Sequence, residues 1–147
     1  MPIPQVSVFL DNHPGSLSQV MSQLDNSKIK IFAMSIADAG EFGLVRMITE
    51  DPERASKLLE EADFNLAKSR KNTEVIAIQI TEMNKISLIT RILGENSLNI
   101  EYAYSSAVHV GGQIALIARV NDVAKAEAIL RANNVVTMSL AEIKQFF

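Results

Sequence analysis

The chain has 147 residues, 48% of them apolar and 21% charged, the balance of a globular protein with enough apolar material for a core. A formal net charge of −3 at pH 7 argues against a surface built to collect nucleic-acid phosphates, which needs concentrated Lys and Arg. With no cysteine, disulfides, thiolate catalysis, zinc–thiolate sites and iron–sulfur clusters are excluded.

In chain order, Met1-Pro2-Ile3-Pro4-Gln5 lacks the basic start and apolar run of a signal peptide, and no later apolar run approaches the roughly 20 residues of a membrane span. The expectation is a cytoplasmic protein that does not engage a membrane. Val6–Leu10 has strand character, broken by Asp11-Asn12-His13-Pro14-Gly15. Ser16 can cap a helix whose apolar residues Leu17, Val20, Met21 and Leu24 follow i, i+3, i+4, i+7 spacing. A second strand is expected from Ile29 to Ile36, a turn at Asp38-Ala39-Gly40, and a returning strand from Leu44 to Ile48. Asp51-Pro52 starts a second helix with a capping carboxylate and a proline at its first position. Ala55, Leu58, Leu59 and Ala62 form its apolar stripe, and a strand follows near Phe64–Lys71. The one dense basic run, Lys68, Arg70 and Lys71, reads as a solvated strand end.

The series then repeats. Leu17, Val20, Leu24, Ile29 and Ile31 recur as Ile86, Ile89, Leu93, Leu98 and Ile100, an offset of 69 (86 less 17). Asp51, Ala55, Leu58 and Leu59 recur as Asp122, Ala126, Ile129 and Leu130, an offset of 71 (122 less 51), as expected if the hairpin around Gly111-Gly112 is longer than its counterpart. A period near 70 suits a duplicated small domain, with copies at 1–72 and 73–147. Ser139-Leu140-Ala141-Glu142 is a capping-box pattern, so a short terminal helix is expected over 140–146.

Each copy reads βαββαβ. Right-handed crossovers put both helices on one face of a four-stranded antiparallel sheet, the ferredoxin-like α+β arrangement. We expect the copies to pair through the edge strands 29–36 and 98–104 into one eight-stranded sheet.

Function needs separate evidence, because this fold serves many purposes. RNA recognition on such a sheet uses stacking aromatics, and Gly43-Leu44-Val45-Arg46-Met47-Ile48 holds none. Soft-metal delivery needs cysteines in the first loop. For catalysis, His13 and His109 fall in a loop and near a hairpin of different copies with no third ligand at metal spacing. Glu50-Asp51 and Glu60-Glu61 are caps and solvated faces before they are acid–base pairs. Arg46 and Arg119, on the third strands, could pair with carboxylates, as strand arginines do without function. No phosphate-binding glycine motif occurs. The expectation is a protein that is not an enzyme and holds no metal or cofactor.

The first loop offers binding chemistry instead. Pro14-Gly15 turns tightly before a helix, glycine lets a ligand approach the backbone, and the N–H groups of a helix start attract a carboxylate. Asn12 supplies both a donor and an acceptor, which suits a zwitterion. The same residues are also ordinary turn chemistry, and spacing alone leaves both readings open.

Val6 through Leu17, followed by Val20, Leu24 and Ile29-Lys30-Ile31, resembles the signature of the ACT domain, and the second half resembles it through Leu93, Leu98-Asn99-Ile100 and Asp122. The likeness spans nearly the whole chain as two copies. It implies a regulatory module that binds a free amino acid between two ACT units and reports to a metabolic enzyme or regulator. Asn12 falls where ligand-binding members of the family place an asparagine. The resemblance implies a site of Asp11, Asn12, His13, Pro14, Gly15, Ser16 and Leu17, faced by Asn99, Ile100 and Tyr102, with Tyr104 as the alternative tyrosine. The second loop, Thr81-Glu82-Met83-Asn84-Lys85, lacks Pro-Gly, and the first copy has Lys30 where the second has Asn99, so one good site per chain is expected. A homodimer is also expected. The competing reading is a structural or protein–protein interaction module that docks on a metabolic enzyme without any ligand.

Overall fold

In a computed structural model, residues 2–107 and 110–147 are described. The expectation for His109 lies outside the described residues. Two compact units emerge: one is Pro4–Thr73, the other Glu74–Phe147 with Ile3.

The chain opens with β1 (Ile3–Pro4). The first unit then runs β2 (Val6–Asp11), α1 (Ser16–Asn26), β3 (Ile31–Ala39), β4 (Phe42–Thr49), α2 (Pro52–Glu61) and β5 (Asn65–Leu66), ending in the short helix α3 (Arg70–Thr73). The second runs β6 (Glu74–Ile80), α4 (Ile86–Glu95), β7 (Ile100–Ser105), β8 (Ile114–Val120), α5 (Val123–Ala132), β9 (Thr137–Met138) and α6 (Leu140–Phe146). Both therefore contain the same βαββαβ series. The first sheet has the order β3-β4-β2-β5; the second has β7-β8-β6, with β9 and β1 also on β6.

The pattern of burial follows from the strand period. Val6, Val8 and Leu10 alternate along β2, Val45 and Met47 along β4, and together they meet Val20 and Leu24 of α1 and Ala55 and Leu59 of α2 in one core. Both helices thus cover the same sheet face. In the second unit Ile76, Ile78, Leu116, Ala118 and Val120 meet Ile89 and Leu93 of α4 and Ala126 and Leu130 of α5 in the same way. Asp51 and Asp122 cap α2 and α5 through the N–H groups of Arg54 and Lys125, each at 3.1 Å. The capping box at Ser139 and Glu142 is present, opening α6.

The repeat is also written in the backbone. Left-handed residues follow the helices at Lys28 and Ser97, and again at Asp63 and Asn134. These pairs fall at the two sequence offsets, 69 (97 less 28) and 71 (134 less 63). Each second strand is bulged at one matched place, between Ile31 and Ala33 in β3 and between Ile100 and Tyr102 in β7. The two-residue drift lies in the second hairpin, where Gly111 and Gly112 take φ of 59° and 75° between the bridged residues Val110 and Gln113.

Three expectations change. The strands form two sheets, not one of eight strands: β3 is registered with β4 and β7 with β8, each ending its own sheet. A bulge near the start of each of these strands bends and twists the edge, which works against direct strand addition. The strand expected near Phe64–Lys71 shrinks to Asn65–Leu66, and Arg70 and Lys71 lie on α3 instead. Lys68 meets Glu60 at 3.1 Å. Finally, Ser16 is the first residue of α1, not its cap; Gly15 takes that place at φ 91°. No helix among the described residues is long and apolar enough to cross a membrane.

Candidate functional site

The β2–α1 loop is set by its two ends. Asp11 closes β2 opposite Phe42, and the loop backbone then turns through His13 N–H donating to the Asp11 carbonyl (2.9 Å) and Ser16 N–H to the His13 carbonyl (3.3 Å). Gly15 supplies the left-handed step into the helix, and nothing lies within 4 Å of where a Cβ would stand. Glycine is needed here for its φ, and the space it leaves is open.

Ser16 is buried, yet its hydroxyl does not cap α1. It turns to His13, with Oγ 3.0 Å from Nδ1 and 3.2 Å from Nε2. His13 Nδ1 also lies 3.1 Å from the Pro14 carbonyl, and Nε2 stands 3.9 Å from the Asp11 carboxylate. No side chain caps α1 and no acidic residue stands in its first turn, so the partial positive charge of the helix start is unanswered by a side chain. By contrast α2, α5 and α6 all have side-chain caps.

The loop has two sides. Asn12 leans toward the β3–β4 hairpin, its N–H donating to the Glu41 carbonyl at 3.3 Å and its Nδ2 to the Gly40 carbonyl at 3.5 Å, a long, weak bond. Asp11, His13 and Ser16 line a cleft of about 260 Å³ on the other side, closed by Asp63, Phe64 and Asn65 between α2 and β5. Sequence reasoning missed Gln19, Asp63 and Asn65. The available signal was an Asp just past the end of α2 with an Asn at its repeat, both residues at home in left-handed backbone. Leu17 packs, partly buried, at the rim of the core. A larger, more open hollow of about 720 Å³ runs beside Pro52, Glu53, Ser56 and Lys57; it borders the solvated face of α2 and lies away from the loop chemistry.

The remaining expected residues belong to the second unit. Asn99 is exposed just before β7, its N–H donating to Asn121 Oδ1 at 2.8 Å while Asn121 N–H returns to the Asn99 carbonyl at 3.2 Å. Lys30 and Glu50 form the same pair in the first unit. Ile100 is half-buried against its core, and Tyr102 lies past the bulge, opposite Arg119. The bulge residue Glu101 meets Arg119 at 3.6 Å, and Arg119 donates to the Glu74 carbonyl at 2.8 Å, so this strand arginine has local structural partners. In the second loop Asn84 N–H donates to Thr81 Oγ1 (3.0 Å), and Asn84 Nδ2 reaches the Asn134 carbonyl (3.4 Å). Among the described residues, no group of three or more His, Asp and Glu could hold a metal ion.

A family profile described as an ACT domain pair matches residues 1–145. No curated protein matches. Among solved structures, protein BT0572 from Bacteroides thetaiotaomicron is 25% identical, with a TM-score of 0.86 over 97% of this chain and 96% of its own. The ligand-free regulatory subunit of aspartate kinase from Thermus thermophilus shares the fold at 14% identity, TM-score 0.61, over 98% of this chain and 92% of its own. The corresponding subunit from Thermus flavus does so at 17% identity, TM-score 0.57, with 88% of each chain covered.

Proposed function

This chain belongs to the ACT domain pair family, and from that premise we propose that it is a regulatory module that binds a free amino acid. The observation that carries the reading is the first loop: an uncapped helix start behind a glycine at φ 91°, with Asn12 beside it. The ligand's carboxylate sits at the leading N–H groups of α1, where partial positive charge and open space coincide. Asn12 exchanges its long bond to Gly40 for the ligand. Asn99, Ile100 and Tyr102, which the family resemblance implies as ligand contacts, belong to the same proposal. The second loop is expected to stay empty, because Lys85 opens α4 with no glycine to bring a ligand near.

In this reading the module reports amino-acid level to a metabolic enzyme or another regulator. The same fold in a regulatory subunit of aspartate kinase supports a role of that type. Assembly as a homodimer belongs to the proposal too, supported by the exposed apolar side chains of Met34 and Ile36 on β3. One observation favours the ligand-free interaction module: Phe9 and Phe42, 40% and 49% exposed, line an apolar hollow with Asn65. Thermal melting with each free amino acid separates the two, since only a ligand-binding module gains stability by mass action.

A further inference from the structure

The face of the first sheet away from α1 and α2 carries two exposed phenylalanines at one end. Val6, Val8 and Leu10 turn toward the helices, so strand alternation puts Ser7, Phe9 and Asp11 on the other face of β2. Phe9 pairs with Leu44 and Asp11 with Phe42, which makes the two phenylalanines diagonal neighbours on that face. Asn65 of β5 lies opposite Phe9 on its other side. Phe9, Phe42 and Asn65 line an open hollow of about 370 Å³, walled by two aromatic rings and one amide.

The repeat shows that the fold does not require these rings. Gln79 pairs with Ala115 as Phe9 pairs with Leu44, and 115 less 44 is the offset of 71. The same offset sets Gln113 at the place of Phe42 and Val136 at that of Asn65 (113 less 42, 136 less 65). In the second copy the two glutamines satisfy each other, Gln79 Nε2 donating to Gln113 Oε1. One copy thus closes this end of its sheet with an amide pair, while the other exposes apolar rings, the mark of a contact surface.

The charge around the rings has one sign. Asp11 shares their face and Glu41 directly precedes Phe42, both exposed, and no Lys or Arg occurs in residues 1–27 or 31–45. Arg46, farther along the same face, donates to Asn72 Oδ1 at 3.4 Å. An anionic rim repels phosphate and acidic lipid. It favours a cation that can also lie on an aromatic ring, which is the chemistry of arginine.

We propose that this patch docks a partner protein through a segment in which arginine flanks an apolar side chain. The apolar side chain enters the hollow between Phe9 and Phe42, and an arginine lies over a ring with Asp11 and Glu41 as counter-charges. The proposal does not depend on the amino-acid reading, since neither Asn12 nor the start of α1 contributes to the patch.

The test titrates the full chain with the peptide acetyl-Gly-Arg-Leu-Arg-Gly-amide at physiological salt, followed by backbone amide NMR. Shifts are expected at residues 9–11, 41–44 and 65–66, with a midpoint on the order of 1 mM. Glutamate in place of both peptide arginines, or glycine in place of its leucine, raises that midpoint about tenfold or more. Phe9→Gln with Phe42→Gln, which installs the pair the second copy carries, also raises it about tenfold and preserves a cooperative melt. Phe42→Gln alone, at the more exposed ring, raises it about threefold, so the test does not depend on the double variant. Phe146→Gln, an exposed ring of α6 in the other unit, leaves it unchanged. Equal binding of the glutamate peptide, absence of shifts at these residues, or an unchanged midpoint in the phenylalanine variants overturns the proposal. Self-association that the double variant abolishes, with no response to the peptide, assigns the patch to a second copy of the chain and overturns it as well.

Discussion

Two glycines, each with open space where a Cβ would stand, respond oppositely to alanine, because backbone angle and not space decides the outcome. Gly15 has φ 91°, so Gly15→Ala is expected to destabilise the chain by about 1–2 kcal/mol. Gly94 lies within α4, and Gly94→Ala is expected to stabilise by about 0.5–1 kcal/mol. Urea unfolding of the two variants checks both signs. At Asn12 the expectation concerns affinity: Asn12→Ala removes a hydrogen bond to a charged ligand group and weakens amino-acid binding by about 1.5–3 kcal/mol, measured by calorimetry. The turn at Gly15 was legible because Pro-Gly between a strand and a helix has few alternatives, whereas a binding role for Asn12 rests on the family resemblance alone. The role of Ser16 was not, since a serine before an apolar stripe reads as a cap until the His13 ring is seen to take its hydroxyl.

Elements were readable where their signals are local. Asp51-Pro52, Asp122 and Ser139 with Glu142 satisfy helix N–H groups within three residues, and all three caps form where the sequence put them. Asp122→Ala should cost about 1 kcal/mol in thermal unfolding, with Asp51→Ala at its repeat costing a similar amount. The paired bulges escaped the sequence because an extra residue in a strand changes only its register; Phe32 and Glu101, at the same place, share no side-chain chemistry. The strand expected near Phe64–Lys71 was read too long because the chain turns into α3 after Asn65–Leu66, and apolar alternation over so few residues has no period that marks its end.

For the molecule as a whole, duplication was legible from apolar spacing, since Val20 and Leu24 fill one core as Ile89 and Leu93 fill the other. All four are fully buried, so Leu24→Ala and Leu93→Ala should each cost about 2–5 kcal/mol by chemical unfolding, and a negligible loss at either would break the equivalence. The number of sheets was not legible: edge pairing depends on how a bulged strand is turned, which apolar content does not record.

The reading of the chain as an amino-acid-binding module meets its most direct test in calorimetric titration of the full chain with each free amino acid. The account predicts saturable binding of at least one of them, at one site per chain, weakened roughly tenfold to a hundredfold by Asn12→Ala. Absence of heat and of any melting shift across the whole set would contradict it, as would binding that Asn12→Ala leaves intact while Asn84→Ala abolishes it.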